Sequence, residues 1–363
     1  MIILEYYIYI TNDCNLNCSY CSVLLKSNQN HLPQKPSYDL NNLKNFIDIT
    51  QRKFKSDVAC LYFFGGEPTL DYDLIYSIIE IFKDVIEYKT KYILHTNGLL
   101  LNKIPQRVLN HIDIIFLSLN YEKIYSNGAI SEYFINFVHN IAYIKNLKNI
   151  PFIGRLTISE GTSLYTECAL LGIFFDYVYW QLDNQEQLKN IILYKNQYIK
   201  EVELLFDYWY SFLKQGVLVR YIPFLSILRH FINNVPIPSN YYCGYGDDIV
   251  YIQTDGTCYA CCDEVESKQH YIGSIYEGIK FINMEVNHDR CLKCSYLKIC
   301  GGRCGRMHKD FDADRIDHYC DINKFTFKLI EKSLSDIKDI ISNDNRLQEI
   351  INDPMLDYTE LIP

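Results

Sequence analysis

Three cysteines near the start of the chain are the residues best suited to chemistry. Cys14, Cys18 and Cys21 follow an apolar run from Ile2 to Ile10, with three residues in the first interval and two in the second. Three thiolates can bind one soft metal centre if the backbone folds back on itself. Structural zinc sites normally take four protein ligands, so three thiols indicate a centre with one position for an outside ligand. An iron-sulfur cluster with one open iron is the leading interpretation.

The surrounding sequence alternates short apolar strands with amphipathic helices, which is typical of an α/β fold with a parallel sheet. Asp39 and Ser163 are predicted helix N-caps. Six strands fit a partial (β/α)6 TIM-like barrel, in which functional residues gather on loops at the carboxyl ends of the strands. The predicted strands are 3–10, 58–64, 92–95, 112–119, 152–158 and 174–182, and the predicted helices are 40–54, 74–88, 133–147 and 165–171.

Polar or glycine-rich motifs follow the first three predicted strands. The cysteines follow the first strand, Gly65-Gly66-Glu67-Pro68 follows the second and Thr96-Asn97-Gly98 follows the third. Carboxyl ends of parallel strands lie on one rim of a barrel, so we expect the three motifs to share that rim.

Length, charge and cysteine usage limit the class of protein. A chain of 363 residues favours about two domains. Its net charge of −9 argues against nucleic acid as a partner. The sequence shows no secretion signal and no apolar run long enough to span a bilayer, so we expect a cytoplasmic protein without a membrane partner. In that setting, 14 cysteines favour metal binding over disulfides.

The composition changes in the last third of the chain, where nine of the 14 cysteines lie between Cys243 and Cys320. Before it, a helical stretch from 185 to about 234 carries an apolar stripe that is expected to be a packing face. Pro236 and Pro238 then mark a boundary. We predict a barrel at 1–184, a helical linker at 185–238, a cysteine-rich domain at 239–324, and a C-terminal helix and tail at 325–363. The acidic end after Asn343 is expected to fray.

The three cysteines, with Tyr20 before the last of them, and the Gly-Gly-Glu-Pro motif together resemble the radical S-adenosylmethionine (radical SAM) enzymes. The resemblance implies a [4Fe-4S] cluster on Cys14, Cys18 and Cys21 whose open iron chelates S-adenosyl-L-methionine. It also implies cleavage of that cofactor to a 5'-deoxyadenosyl radical, which abstracts a substrate hydrogen inside a barrel that excludes water.

The same resemblance assigns cofactor contacts by position. Tyr20 would lie beside the adenine, and Arg155 on the fifth strand would pair with the cofactor carboxylate, which suits a guanidinium. Asn120 stands where many relatives carry an acidic residue. The methionine amino group is assigned to Gly65, Gly66, Glu67 and Pro68, and the ribose to Asn97, Ser118 and Asn120.

The later cysteines, with Gly256, resemble the SPASM extension, which binds two auxiliary [4Fe-4S] clusters in radical enzymes acting on peptides and proteins. Three clusters are therefore expected in all. A zinc-ribbon-like site is the alternative for the Cys-x-x-Cys pair. The inner cluster is one ligand short. Cys258, Cys262 or the substrate could supply the fourth ligand, or the fourth iron could stay open. By the resemblance, Cys291, Cys294, Cys300 and Cys320 bind the outer cluster, and Cys243, Cys261 and Cys304 bind the inner one.

The general base has two candidate positions. Asp183 ends the sixth strand and is either a base or substrate ligand, or the N-cap of the next helix. Asp263 and Glu264 follow the inner-cluster cysteine, although related sulfatase-activating enzymes place an acid where Cys262 stands. Cys60 and Cys168 are expected to be buried, inert thiols.

The SPASM resemblance implies a ribosomally made peptide or protein as substrate. The pattern is most similar to a peptide-modifying radical SAM family of methanogenic archaea, through Thr157 to Glu160, Trp180 to Asp183 and Val219 to Leu225. The leading hypothesis is hydrogen abstraction from a precursor peptide and an intramolecular crosslink, with ferredoxin or flavodoxin as reductant and an auxiliary cluster accepting an electron. Alternatives are a formylglycine-generating sulfatase maturase and a non-catalytic iron-sulfur or zinc-binding protein.

Overall fold

The structure is a computed structural model that describes residues 1–18, 21, 32–159, 161–183, 190–233, 241–281, 288–353 and 356. The strands are β1 (Ile3–Thr11), β2 (Val58–Gly65), β3 (Lys89–Thr96), β4 (Ile114–Leu119), β5 (Tyr125–Ser126), β6 (Ala129–Ile130), β7 (Phe152–Ile158), β8 (Tyr177–Leu182), β9 (Ile249–Ile252), β10 (Thr257–Tyr259), β11 (Tyr271–Ser274) and β12 (Gly278–Ile279). The helices are α1 (Leu40–Phe54), α2 (Tyr72–Phe82), α3 (Gln106–Leu109), α4 (Tyr121–Ile124), α5 (Glu132–Leu147), α6 (Leu164–Phe174), α7 (Ile191–Leu213), α8 (Ile222–Asn233), α9 (Asp289–Leu292), α10 (Leu297–Cys300), α11 (Gly305–Asp310), α12 (Ala313–Lys332), α13 (Leu334–Ser342) and α14 (Asn345–Ile351).

The chain forms two compact units, each made of separate segments. The first unit comprises Met1–Ser118, Ile130–Phe152 and Gly244–Met284, and the second comprises Leu119–Ala129, Ile153–Cys243 and Glu285–Pro363. The predicted domain boundaries at 184, 238 and 324 stay predictions.

The first unit contains a sheet with the strand order β12-β11-β10-β9-β1-β2-β3-β4. Neighbours from β9 through β1 to β4 are parallel, whereas β9 to β12 pair antiparallel. Strand β9, from the cysteine-rich part of the chain, therefore lies directly beside β1, with Glu5 opposite Ile249.

Strand β1 is buried on both faces, which explains its almost continuous apolar run. Successive side chains of a strand point to opposite faces. Tyr6 faces α1, where its hydroxyl accepts a hydrogen bond from Gln51 Nε2 at 3.1 Å. Tyr7 points the other way and stacks on Tyr62 with ring centroids 4.1 Å apart. Tyr9 shares that second face and contacts Phe64 edge-on.

The second unit contains the parallel pair β7 and β8 and the longest helices. The apolar stripe of α7 is a packing face as predicted, with Trp209 fully buried and 5.4 Å from the ring of Phe224 on α8. Trp180 of β8 donates a hydrogen bond to the Tyr198 hydroxyl of α7 at 2.9 Å. These aromatic contacts join the strand pair to its helices.

The α/β class with a mostly parallel sheet is confirmed, and each predicted strand and helix of the first 182 residues is present. Helix α1 has the predicted bounds, and the side chains of Asp39 and Ser163 accept hydrogen bonds at the starts of α1 and α6. Strand β8 begins three residues later than predicted, because α6 continues to Phe174.

Three helical predictions need correction. The helix predicted at 74–88 ends at Phe82, and the stretch predicted as helical from 185 to about 234 contains two helices, α7 and α8, in its described part. The segment after Asn343 was expected to fray, but it forms α14, because Leu347 and Ile351 are buried and anchor that helix. In the described ranges, no helix combines the length and apolar character needed to cross a membrane.

Candidate functional site

The cysteine loop begins where β1 ends. Its first turn is held by local contacts, since the Leu16 amide donates to Cys14 Sγ at 3.4 Å and the Cys21 amide donates to the Cys18 carbonyl at 3.2 Å. Upstream, the Asn12 side chain donates to Thr254 Oγ1 at 2.9 Å. The loop is thereby tied both to itself and to the β9–β10 turn.

Two glycines allow the end of β2 to approach this loop closely. A Cβ atom on Gly66 would lie 2.1 Å from the Asp13 carbonyl oxygen, and one on Gly65 would lie 2.4 Å from that of Thr11. Gly65 also has a φ of +120°, which glycine tolerates best. The Gly66 and Glu67 amides donate to the Thr11 and Asp13 carbonyls, each at 2.8 Å. This contact gives a structural reason for the Gly-Gly pair, and the predicted contact with the methionine amino group stays a prediction.

Glu67 joins three segments of the rim through its buried carboxylate, which is 1% exposed. Oε1 accepts hydrogen bonds from Thr69, through its amide at 3.0 Å and its hydroxyl at 2.5 Å, and from the Thr96 hydroxyl at 2.6 Å. Oε2 accepts the Asn97 amide at 2.8 Å. Pro68 starts a short 3-10 helix that Glu67 caps. The Gly-Gly-Glu-Pro turn is thus fastened to the end of β3.

Asn97 extends this network to the cysteines. Its Nδ2 donates to Asn15 Oδ1 at 2.7 Å and lies 4.0 Å from Cys14 Sγ. The Tyr133 hydroxyl donates to the Asn97 carbonyl. Burial raises the pKa of Tyr133, and the charges of Glu67, Cys18 and Cys14 raise it further. The Asn97 side chain therefore faces the cysteine loop, and its contact with the ribose stays a prediction.

Asn15 and Tyr133 are site residues that sequence reasoning missed. Asn15 lies between Cys14 and Cys18, so its position in the sequence could have indicated a place in the site. Tyr133 is in the first turn of α5, after the N-cap Ser131, and no motif marks it. Only the fold brings its hydroxyl to the rim.

The contacts of the loop suit an iron-sulfur cluster, whereas its electrostatics without metal oppose the thiolate form of Cys14. Burial raises the pKa of Cys14, and the charges of Glu67, Cys21 and Cys18 add to the effect. A bound metal reverses this balance, because it deprotonates its thiol ligands outright. The Leu16 amide that donates to Cys14 Sγ suits a cluster, because cluster sulfurs accept hydrogen bonds. The close approach of Gly65 and Gly66 to the backbone of the loop also fixes the position of the thiols.

The remaining residues predicted to contact the cofactor are divided between the two units. In the first unit, Ser118 Oγ lies 2.9 Å from His95 Nε2, and Tyr20 falls outside the described residues. In the second unit, Asn120 caps α4 by accepting the Lys123 amide at 3.3 Å. Arg155 of β7 is half-buried, with its guanidinium 5.9 Å from the centre of the Tyr179 ring.

Asp183 is positioned mainly through its backbone. Its amide donates to the Ile158 carbonyl at 2.9 Å, and its carbonyl accepts the Tyr319 hydroxyl at 2.6 Å. The helix that follows, α7, is capped by Asn190. Asp183 is therefore not the N-cap of that helix, and its role as a base stays a prediction.

The four cysteines assigned to the outer cluster lie within electrostatic reach of one another in the second unit, and their shared cluster stays a prediction. The Cys294 amide donates to the Cys291 carbonyl at 2.9 Å. Burial raises the pKa of Cys291, with further contributions from Cys320 and Cys294. Burial likewise raises the pKa of Cys300 to about 12, with Cys320 next in effect. The thiols of Cys291 on α9 and Cys300 on α10 thus both interact electrostatically with Cys320 on α12.

The three cysteines assigned to the inner cluster divide between the units. In the second unit, Cys243 and Cys304 both lie within electrostatic reach of Tyr241. In the first unit, Cys261 lies within reach of Tyr9. Cys60 and Cys168, outside both sets, are fully buried as predicted.

Comparisons with known proteins agree with these features. The radical SAM superfamily model matches residues 8–124. The chain is 22% identical over 329 residues to the radical SAM cyclopropyl synthase TigE of Paramaledivibacter caminithermalis, covering 83% of this chain and 68% of that protein. It is 23% identical over 363 residues to a cysteine-type anaerobic sulfatase-maturating enzyme of Clostridium perfringens, covering 88% of this chain and 93% of that enzyme.

The solved structure "Native anSMEcpe with bound AdoMet" matches with a TM-score of 0.71 and 19% identity, covering 93% of this chain and 100% of that one. At this identity the likeness concerns the fold. The superfamily match contains the cysteine loop, the Gly-Gly-Glu-Pro turn and Asn97. Residues 8–124 of this chain are therefore the part that is similar to the radical SAM superfamily.

Proposed function

We propose that this protein is a radical SAM enzyme that forms an intramolecular crosslink in a ribosomally made peptide. The observation that carries the proposal is the Glu67 network, which binds the Gly-Gly-Glu-Pro turn and Asn97 to the loop of Cys14.

The rim residues hold S-adenosylmethionine in this proposal. Cys14, Cys18 and Cys21 bind a [4Fe-4S] cluster with one open iron, and Arg155 pairs with the cofactor carboxylate. The other proposed contacts are Tyr20, Gly65, Gly66, Glu67, Pro68, Asn97, Ser118 and Asn120. The bound cofactor supplies a 5'-deoxyadenosyl radical, which takes a hydrogen atom from the substrate.

A peptide substrate is supported by the cysteine pattern of the C-terminal part. The four thiols assigned to an outer auxiliary cluster interact electrostatically with one another, which supports the proposal of a SPASM-type cluster there. One solved structure with this fold is described as anSMEcpe with bound AdoMet and a Cp18Cys peptide. Crosslinking removes one hydrogen atom, one proton and one electron from the peptide. We assign the proton to Asp183 and the electron to an auxiliary cluster, with ferredoxin or flavodoxin as the external reductant.

Formylglycine formation in a sulfatase is the second candidate. It is favoured by the C. perfringens relative, which this chain matches over 93% of that enzyme's length. Against it stands Cys262, which occupies the position where the sulfatase-activating enzymes place an acid.

The first experiment tests for cofactor cleavage. Protein purified without oxygen and reduced with dithionite should convert S-adenosylmethionine to 5'-deoxyadenosine and methionine. Cys14→Ala should abolish this conversion, whereas Cys60→Ala, at a buried thiol outside the site, should retain it. Absence of cleavage in a sample that contains zinc instead of iron and sulfide would establish the non-catalytic alternative.

The second experiment identifies the product. The peptide encoded beside the gene should lose two hydrogens in mass, should not react with a hydrazide, and should resist fragmentation between the linked residues. Oxidation of serine to formylglycine also removes two hydrogens, but its aldehyde reacts with the hydrazide. An unchanged mass with an inverted residue would mean epimerisation and would refute crosslinking.

A further inference from the structure

Three potential metal ligands lie close together in the first unit, directly after β10. The thiols of Cys261 and Cys262 and a carboxylate oxygen of Asp263 are all within 4.8 Å of one another. All three residues are half-buried. The segment is held in place because the Ala260 amide donates to the His270 carbonyl at 2.9 Å. The His270 Nδ1 is in turn 2.6 Å from the buried Tyr245 hydroxyl.

The buried hydroxyl of Tyr9, which is 1% exposed, lies beside this cluster. The side chain of Gln253, also 1% exposed, contributes a hydrogen bond to the Tyr9 oxygen, whereas the Tyr9 O–H has no acceptor among the described residues. The charged groups nearest Tyr9 are Cys262, Asp263 and Cys261. An unpaired buried donor costs about 1–3 kcal/mol, so such groups in a native protein normally have a partner. The sulfurs of a metal centre on Cys261 and Cys262 would supply acceptors.

Cys258 points away from this cluster. Its thiol is fully buried, lies 3.8 Å from the Gly256 carbonyl, and is within electrostatic reach of Tyr6 and Tyr38. Tyr6 occupies the sheet face toward α1, whereas Tyr9 occupies the opposite face. Cys258 therefore lies on the α1 side of the sheet, and Cys262 lies on the Tyr9 side.

We infer that Cys262 is a ligand of the metal centre that Cys261 binds in the first unit, and that the Tyr9 hydroxyl donates a hydrogen bond to that centre. Of the four ways to complete the inner centre, this selects Cys262 over Cys258, the substrate and an open iron. The assignment of the centre as an auxiliary iron-sulfur cluster rests on the proposed function, whereas the choice of ligand rests on the local geometry.

The test uses the full chain in a background that carries Cys14→Ala, Cys18→Ala and Cys21→Ala. This background removes the first cluster, so about eight irons of two [4Fe-4S] clusters should remain after anaerobic reconstitution. Adding Cys262→Ala should remove about half of the iron and sulfide, or produce the electron paramagnetic resonance signal of a three-iron cluster. Adding Cys258→Ala should leave the metal content and the signal unchanged. Circular dichroism and the melting temperature confirm that both variants fold.

Parental iron, sulfide and spectrum in Cys262→Ala would overturn the assignment, as would a loss that follows Cys258→Ala instead. The proposed function can fail separately, because the background protein could contain zinc and no iron. In that case, zinc lost with Cys262→Ala but kept with Cys258→Ala would still support the ligand. Equal zinc in both variants and the background would overturn it.

The role of Tyr9 is tested by Tyr9→Phe, which removes only the hydroxyl. The variant should keep its iron and show a lower reduction potential for one auxiliary cluster, because hydrogen bonds to sulfur stabilise the reduced form. Tyr38→Phe is the matched control, since it removes a buried hydroxyl beside Cys258 that also has no partner among the described residues. A potential unchanged by Tyr9→Phe, or lowered equally by Tyr38→Phe, would overturn this part.

Discussion

Glu67 is the residue on which the geometry of the rim most depends. One buried carboxylate accepts hydrogen bonds from Thr69, Thr96 and Asn97, and Asn97 then reaches Asn15 in the cysteine loop. Both oxygens act as acceptors, which no other side chain of similar size provides. The identity of this residue therefore controls how the loop of Cys14 is presented.

Replacing Glu67 with Gln tests this role. The amide has one acceptor oxygen, and its NH2 group would meet the Asn97 N–H or the Thr69 N–H, so we expect a loss of about 2–4 kcal/mol in the free energy of unfolding. Urea denaturation measures the loss, and the KM for S-adenosylmethionine should rise. Glu122→Gln, at an exposed position of α4, is the control and should change neither quantity. A Glu67→Gln variant as stable as the parent would refute the role.

Gly66→Ala tests the close approach of the two strand ends. The new Cβ would lie 2.1 Å from the backbone oxygen of Asp13, which cannot move without moving the cysteine loop. We expect the variant to bind substantially less iron at the first cluster and to lose cofactor cleavage. In Gly172→Ala the nearest atoms, 3.1 Å away, belong to the Val219 side chain, and that variant should keep both properties. Parental iron in Gly66→Ala would show that the loop tolerates displacement.

At the level of elements, helix α6 contains an unusual buried carboxyl group. Glu167 is 0% exposed, and both of its carboxyl oxygens are buried. Burial raises its pKa to about 8 against the opposing effect of a hydrogen bond from the Ser163 backbone, and the charge of Glu201 on α7 contributes to the rise. The group is therefore neutral in the folded protein at pH 7, while it is ionised in the unfolded chain.

This difference predicts a pH-dependent stability. Above the unfolded pKa of about 4.3, the unfolded chain releases the proton and the folded protein retains it, so stability falls with rising pH until about pH 8. Glu167→Gln removes this titration. Its stability relative to the parent should improve by about 2–3 kcal/mol between pH 6 and pH 8, measured by urea denaturation. Glu203→Gln, exposed on α7, should show no such trend, and a Glu167→Gln difference that is constant with pH would contradict the prediction.

The secondary elements follow closely from the sequence, since α1, β7 and the two N-caps match their predicted positions. Periodicity and capping are local signals, which explains this success. The break between α7 and α8 and the ordered α14 were missed, because each depends on packing: Trp209 against Phe224 in one case and buried Leu347 and Ile351 in the other.

At the scale of the whole molecule, each unit carries its own set of thiols. The first unit holds Cys14, Cys18 and Cys21 on one loop. The second holds the outer set, with Cys291 on α9, Cys294 between α9 and α10, Cys300 on α10 and Cys320 on α12. Helices α9 and α10 are only four residues long, and isolated helices of that length are not stable in water. Metal binding at the outer set should therefore stabilise this region of the second unit.

Removal of iron tests that expectation. Chelation should lower the melting temperature by several degrees and should accelerate proteolysis between residues 288 and 312. The Cys14→Ala/Cys18→Ala/Cys21→Ala protein, which keeps the outer thiols, should remain as resistant in this segment as the parent. Equal cleavage of the iron-loaded and iron-depleted proteins would show that the segment folds without metal.

Much of the site can be read from the chain alone, because it is encoded by local spacing. The intervals between Cys14, Cys18 and Cys21, the Gly-Gly-Glu-Pro motif and the outer cysteines are short-range patterns that persist whatever the rest of the fold does. The outer set was expected from the resemblance to the SPASM extension; its members interact electrostatically, and their shared cluster stays a prediction. The cofactor contacts of single residues such as Ser118 and Arg155 remain predictions.

The contacts between distant segments depend on the fold. Strand alternation alone would put Cys258 and Cys262 on one face, but β10 ends at Tyr259 and a short 3-10 helix begins at Cys262, so the two thiols separate. Tyr133 reaches Asn97, and β9 reaches β1, across intervals that no local pattern records. The types and spacing of the metal ligands are therefore properties of the chain, whereas the face that each ligand occupies and the groups that surround it arise from strand ends and long-range pairing.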